Sequence, residues 1–78
     1  MSDYLLFGTA GCHLCEEAEI LLHQAGIIFT VKDIIESEAL QQQYGLLIPV
    51  LLHVPSQRSL CWPFDQCGLL RFIQNIVL

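Results

Sequence analysis

The stretch Tyr4-Leu5-Leu6-Phe7-Gly8-Thr9-Ala10-Gly11-Cys12-His13-Leu14-Cys15 decides how this chain is read. Its first four residues are continuously apolar, the pattern of a strand covered on both faces. Gly8-Thr9-Ala10-Gly11 turns the chain, and a helical pattern starts at Cys12 and runs to Gly26. A Cys-x-x-Cys at a strand-to-helix junction is a redox arrangement. The free N–H groups and positive dipole end of the helix favour a negative sulfur at Cys12, which lowers its pKa and supplies a nucleophilic thiolate. Cys15 lies one turn on, on the same side, where it can attack a mixed disulfide at Cys12 and release the product. Taken alone the pair would equally fit half of a zinc site or two inert core thiols. Its position after a strand and at a helix start favours the redox reading.

Outward from this stretch, Leu14, Ala18, Leu21, Leu22 and Ala25 recur on one helical face, and Gly26 stands where a helix C-terminal glycine belongs. Residues 27–31 are β-branched and aromatic and predict a second strand, ended by Lys32-Asp33. Ser37 caps a second helix over residues 38–44, closed by Gly45, with Gln41-Gln42-Gln43 as a solvated face. Residues 48–54 form a third strand opened by Pro49. Pro55-Ser56-Gln57-Arg58 turns into a short fourth strand, Ser59-Leu60-Cys61, its hairpin partner. Asp65 caps the last helix, with Phe64 and Leu69 as a hydrophobic staple and Leu69, Leu70, Phe72, Ile73, Ile76 and Val77 as the buried face. The order βαβαββα implies a right-handed parallel βαβ unit plus a hairpin, hence a four-stranded mixed sheet with helices on both faces. The expectation is one α/β domain spanning residues 1–78.

Composition narrows the function. The formal charge is −5 with Lys32, Arg58 and Arg71 as the fixed cations, which argues against a nucleic-acid partner and against an anionic membrane surface. The longest apolar run, residues 46–52, contains Pro49 and is too short to span a bilayer. With no export signal at the N-terminus, the expectation is a soluble cytoplasmic protein. A hydrophobic fraction of 54% fills a core without staples, which argues against a secreted disulfide framework despite four cysteines.

The segment from Tyr4 to Cys15 resembles the active-site segment of glutaredoxins and thioredoxins, and is most similar to the small bacterial glutaredoxin-like proteins. The resemblance extends over nearly the whole chain and implies a thioredoxin-like fold of glutaredoxin size. It implies a thiol–disulfide oxidoreductase in which Cys12 attacks and Cys15 resolves. It also implies a cis Ile48–Pro49 bond facing the dithiol, with Ile48 offering backbone hydrogen bonds to an extended substrate. Asp65 matches the acidic residue that holds the glutamyl end of glutathione. Two departures stand out: bulky Trp62-Pro63-Phe64 replaces the usual glycine pair, and no lysine precedes the dithiol. The implied substrate is a disulfide-containing protein or a glutathione mixed disulfide. Glutathione or a thioredoxin-type reductase would be the reductant. No bound cofactor is required, glutathione serving as a co-substrate, and no metal site is implied.

Other readings of the residues stay open. His13, when protonated, adds positive charge beside the thiolate and raises oxidising power; alternatively it is an exposed side chain with no role. Trp62 and Phe64 are expected in the core, and Cys61 and Cys67 as apolar fillers. His23 and His53 are expected to be structural. Two other functions compete with the oxidoreductase. One is a binding or scaffold module whose dithiol does not turn over. The other is a zinc or iron–sulfur protein using Cys12 and Cys15 with Cys61 or Cys67, or a cluster bridging two chains.

Overall fold

The computed structural model describes residues 3–77. Its elements are β1 (Tyr4–Gly8), α1 (His13–Gln24), β2 (Phe29–Asp33), a 3-10 turn (Ile34–Glu36), α2 (Glu38–Tyr44), β3 (Val50–His53), β4 (Arg58–Cys61) and α3 (Gln66–Val77). The strands form one sheet in the order β2-β1-β3-β4. β1 and β2 are parallel, with Leu6 opposite Val31 and Gly8 opposite Asp33. β3 runs antiparallel to β1, and β4 antiparallel to β3. This is the mixed α/β, thioredoxin-like arrangement that the sequence predicts.

Strand alternation sorts the side chains into two layers. Leu6 and Leu51 meet Ala18 and Leu22 of α1 and Leu69 and Phe72 of α3 on one face. Phe7 and Val50 point to the other face, against Ile34 and the partly buried Leu40, Tyr44 and Ile48. Phe7 stacks on Tyr44 with ring centroids 4.4 Å apart. β1 thus carries a core cluster on each of its faces, which is why this strand is a continuous apolar run and not an alternating one. Each fully buried leucine contributes about 1.5–3 kcal/mol by leaving water.

The helix ends explain where the elements start. Cys12 is the N-cap of α1. At the other end Gly26 takes a φ of 73°, its N–H donates to the carbonyl of His23, and the N–H of Ile27 donates to that of Leu22. These are the two bonds of a Schellman motif, and they require the left-handed backbone that glycine adopts without cost. They also correct the predicted second strand. Ile27 belongs to the helix terminus, so β2 begins at Phe29 and not at residue 27. Ser37 caps α2 through its hydroxyl, which accepts from the N–H of Leu40 at 3.3 Å. The Asp65 carboxylate likewise accepts from the N–H of Gly68 at 2.7 Å.

Other expectations need correction. The third strand is Val50–His53, shorter than residues 48–54, because Ile48 is drawn back to α2 through its N–H on the Tyr44 carbonyl at 3.1 Å. Leu14 and Leu70, expected in the core, are each 44% exposed. Each stands one residue, about 100° of helical turn, away from the buried stripe of its helix. The side chain of Val77 lies outside the described residues. Among the described residues no helix is long and apolar enough to cross a membrane.

Candidate active site

Cys12 and Cys15 are joined in a disulfide at the start of α1. The turn before it is closed by the N–H of Cys12 on the carbonyl of Thr9 at 3.3 Å, with Gly11 at a φ of 78°. This turn aims the sulfur of Cys12 at the helix N-terminus, where it accepts a hydrogen bond from the backbone N–H of Cys15 at 3.2 Å. The two sulfurs differ in access. Cys12 is half-buried, whereas Cys15 is only 5% exposed and packs against β1. Gly8 makes that packing possible, since a Cβ there would lie 2.9 Å from the Sγ of Cys15.

A groove of about 270 Å³ opens beside the disulfide on the β2 side. Cys12 and Cys15 line it together with apolar Leu6, Gly8 and Val31 and acidic Glu16, Glu19 and Asp33. The sequence reading missed these groove residues. Glu19 is four positions after Cys15, so helical spacing alone could have placed it beside the dithiol. Asp33 and Val31 come to the site only through the β1–β2 register, which spacing does not show.

The other predicted site residues fall in different places. The Ile48–Pro49 bond is cis, as the resemblance implies. Pro49 is fully buried and precedes Val50, which pairs with Phe7 at the end of the sheet where β1 leads to the dithiol. The N–H of Ile48 already donates to Tyr44, so a substrate strand pairing with that N–H must displace this bond. The Trp62–Pro63 bond is also cis, and nothing in the composition had singled it out. His13 is exposed and its Nδ1 lies 3.7 Å from the carboxylate of Glu16. Asp65 is outside the groove; it lines a separate depression with Leu60, Pro63, Phe64 and Gly68, one carboxylate oxygen capping α3.

Cys61 and Cys67 are free and exposed, which corrects their reading as buried fillers. Cys61 sits on the edge strand β4 opposite Val50, and Cys67 is in the first turn of α3. Trp62 and Phe64 pack edge to face, 5.0 Å apart, against the α1–α3 layer as expected. His53 accepts or donates through Nδ1 with the Ser56 hydroxyl at 2.8 Å, and the ring of His23 lies 5.1 Å from that of Phe29. Among the described residues no three His, Cys, Asp or Glu side chains converge as metal ligands.

The geometry agrees with what is known of other proteins. The model of the Glutaredoxin-like domain (DUF836) matches residues 4–74. No curated protein sequence matches the chain. The X-ray structure of protein XcR50 from X. campestris is 37% identical, with a TM-score of 0.87 over 92% of this chain and 96% of that one. Protein Ne2328 from Nitrosomonas europaea is 28% identical, with a TM-score of 0.70 over 91% of this chain and 89% of that one. A glutaredoxin from Archaeoglobus fulgidus shares the fold at 18% identity, with a TM-score of 0.68 over 94% of this chain and 87% of that one. A family match over nearly the whole chain, around a Cys12–Cys15 pair set at a helix N-terminus, assigns this protein to the glutaredoxin-like domain family.

Proposed function

We propose that the chain is a thiol–disulfide oxidoreductase whose working couple is Cys12 and Cys15. The observation that carries this reading is their disulfide at the start of α1, with Cys12 the more accessible sulfur and Cys15 buried beneath it. In the reduced protein the Cys12 thiolate, favoured by the helix N-terminus and the Cys15 N–H, attacks a substrate disulfide. A Cys12–substrate bond forms and one substrate sulfur leaves as a thiolate. Cys15 then loses its proton to water and attacks the sulfur of Cys12. The Cys12–Cys15 bond forms, the second substrate thiolate leaves, and two electrons have passed to the substrate. Glutathione or a thioredoxin-type reductase returns the couple to the dithiol. The cis Ile48–Pro49 bond leads into β3, whose Val50 pairs with Phe7 of β1, and the reading has an extended substrate lie along this segment. The free thiols of Cys61 and Cys67 suit a reducing compartment such as the cytoplasm.

The test is a pair of variants with a small-molecule or peptide disulfide as substrate. Cys12→Ser abolishes exchange, and Cys15→Ser accumulates a mixed disulfide at Cys12, read by mass spectrometry. Full activity in Cys12→Ser would overturn the assignment.

A further inference from the structure

The groove beside the disulfide has a chemical character of its own. Its lining joins apolar Leu6, Gly8, Ala10 and Val31 to the acidic residues Glu16, Glu19 and Asp33. No cation lines it. Strand alternation sends the side chain of Lys32 to the opposite sheet face, beside Phe7, where its Nζ pairs with Glu36 at 3.1 Å. The guanidinium of Arg58 donates to the carbonyl of Asn75, and Arg71 lies on α3. The carboxylates are not equally engaged. Asp33 accepts from the N–H of Ile35 with one oxygen, Glu16 faces His13 at 3.7 Å, and Glu19 makes no hydrogen bond or ion pair among the described residues.

We propose that this groove receives a lysine or arginine side chain next to the reacting cysteine of a protein substrate, so that the site prefers disulfides flanked by basic residues to glutathione. The inference rests on the oxidoreductase reading above and specifies its substrate class. Three features argue for this occupant. The cavity, at about 270 Å³, falls below the roughly 300–1,000 Å³ of whole small-molecule sites but holds one long side chain. An aliphatic stem over Leu6 and Val31 with a cationic tip between carboxylates matches the two-part chemistry of lysine and arginine. Glutathione and its disulfide carry more carboxylates than ammonium groups, so the same acidic residues repel them. The electron transfer is unchanged: the dithiol is oxidised, the substrate disulfide is reduced, and the groove contributes only to orientation and encounter.

The experiment is single-turnover oxidation of the reduced protein by three peptide disulfides that differ only in the residue beside cysteine: lysine, glutamine or glutamate. At low salt the lysine peptide should react roughly tenfold faster than the glutamate peptide, the lower end of electrostatic steering. The ratio should shrink toward one at about 1 M salt, where the screening length falls to about 3 Å. Glu19→Gln should narrow the ratio, whereas Glu38→Gln, an equal change in net charge on α2, should not. Equal rates for the lysine and glutamate peptides would overturn the substrate preference and leave the oxidoreductase reading standing. Failure to reduce any of the three, with the protein verified as dithiol, would overturn both. If Glu19→Gln does not fold, Glu16→Gln, at an exposed carboxylate lining the same groove, makes the same comparison with Glu38→Gln.

Discussion

Gly8 and Cys15 meet so closely that no methyl group fits between them: a Cβ on Gly8 would stand 2.9 Å from the Sγ of Cys15 and 3.2 Å from its Cβ. In the disulfide that sulfur is tethered to Cys12, whereas in the dithiol it can turn to another rotamer. A methyl group at residue 8 therefore disfavours the oxidised form more than the reduced one. With overpacking costing about 1–3 kcal/mol, Gly8→Ala should raise the reduction potential by roughly 20–60 mV. Equilibration against glutathione redox buffers measures it, and an unchanged or lower potential would show that Cys15 has room to spare.

The four thiols of the reduced protein should separate by labelling with iodoacetamide across pH, each read by mass spectrometry. Cys12 is expected to reach half-maximal labelling about one pH unit or more below an ordinary thiol, from its place at the helix N-terminus. Cys15 should stay protected by burial. Cys61 and Cys67 are exposed and will take up label too, so a total thiol count would hide the result. A Cys12 that titrates as an ordinary thiol removes the activated nucleophile.

Asp65 offers a way to separate a cap from a ligand contact. Asp65→Ala removes the acceptor for the N–H of Gly68 and should cost about 1 kcal/mol, lowering Tm by about 4–8 °C. Asparagine caps as well as aspartate, so Asp65→Asn should retain the Tm. A glutathione-linked rate that falls severalfold in Asp65→Asn at unchanged Tm would assign the carboxylate to the glutamyl end of glutathione. An unchanged rate would leave Asp65 as a cap alone.

Core and surface leucines should differ sharply. Leu69 is fully buried among Leu6, Leu22 and Leu51, so Leu69→Ala should cost about 2–5 kcal/mol in denaturant unfolding. Leu46 is fully exposed, so Leu46→Ala should change stability by no more than about 0.5 kcal/mol. A large loss at Leu46 would mean that the loop before Pro49 is covered by something, a second copy or a partner.

What the sequence could and could not show follows from the range of the forces involved. Local signals were legible: the caps at Ser37 and Asp65, the glycine terminus at Gly26 and the cysteine pair at a helix start all act within five positions along the chain. The parallel βαβ pair and the β3–β4 hairpin followed from the element order and connection handedness, whereas the strand order β2-β1-β3-β4 is seen only in the structure. Exposure was less legible. Cys61 lies on an edge strand, and Leu14 and Leu70 lie one position off their buried stripes, facts that depend on which layer covers which face. The acidic groove was hidden because Asp33 reaches the dithiol by standing beside Gly8, 25 positions earlier in the chain, through strand pairing.

The two faces of the sheet are not equally filled. Among the described residues the core cluster on the α1–α3 face joins six buried side chains and that on the α2 face three, and α2 itself has none that is buried. Local opening should therefore begin on the α2 side, with amide protons of residues 38–48 exchanging before those of α1. The sulfurs are fixed to the firm layer, whereas Ile48 hangs by its N–H from the last turn of the yielding one. Under the proposed function, the segment that would meet a substrate's backbone can therefore yield, and fit substrates of different shape, without disturbing the spacing of the two sulfurs.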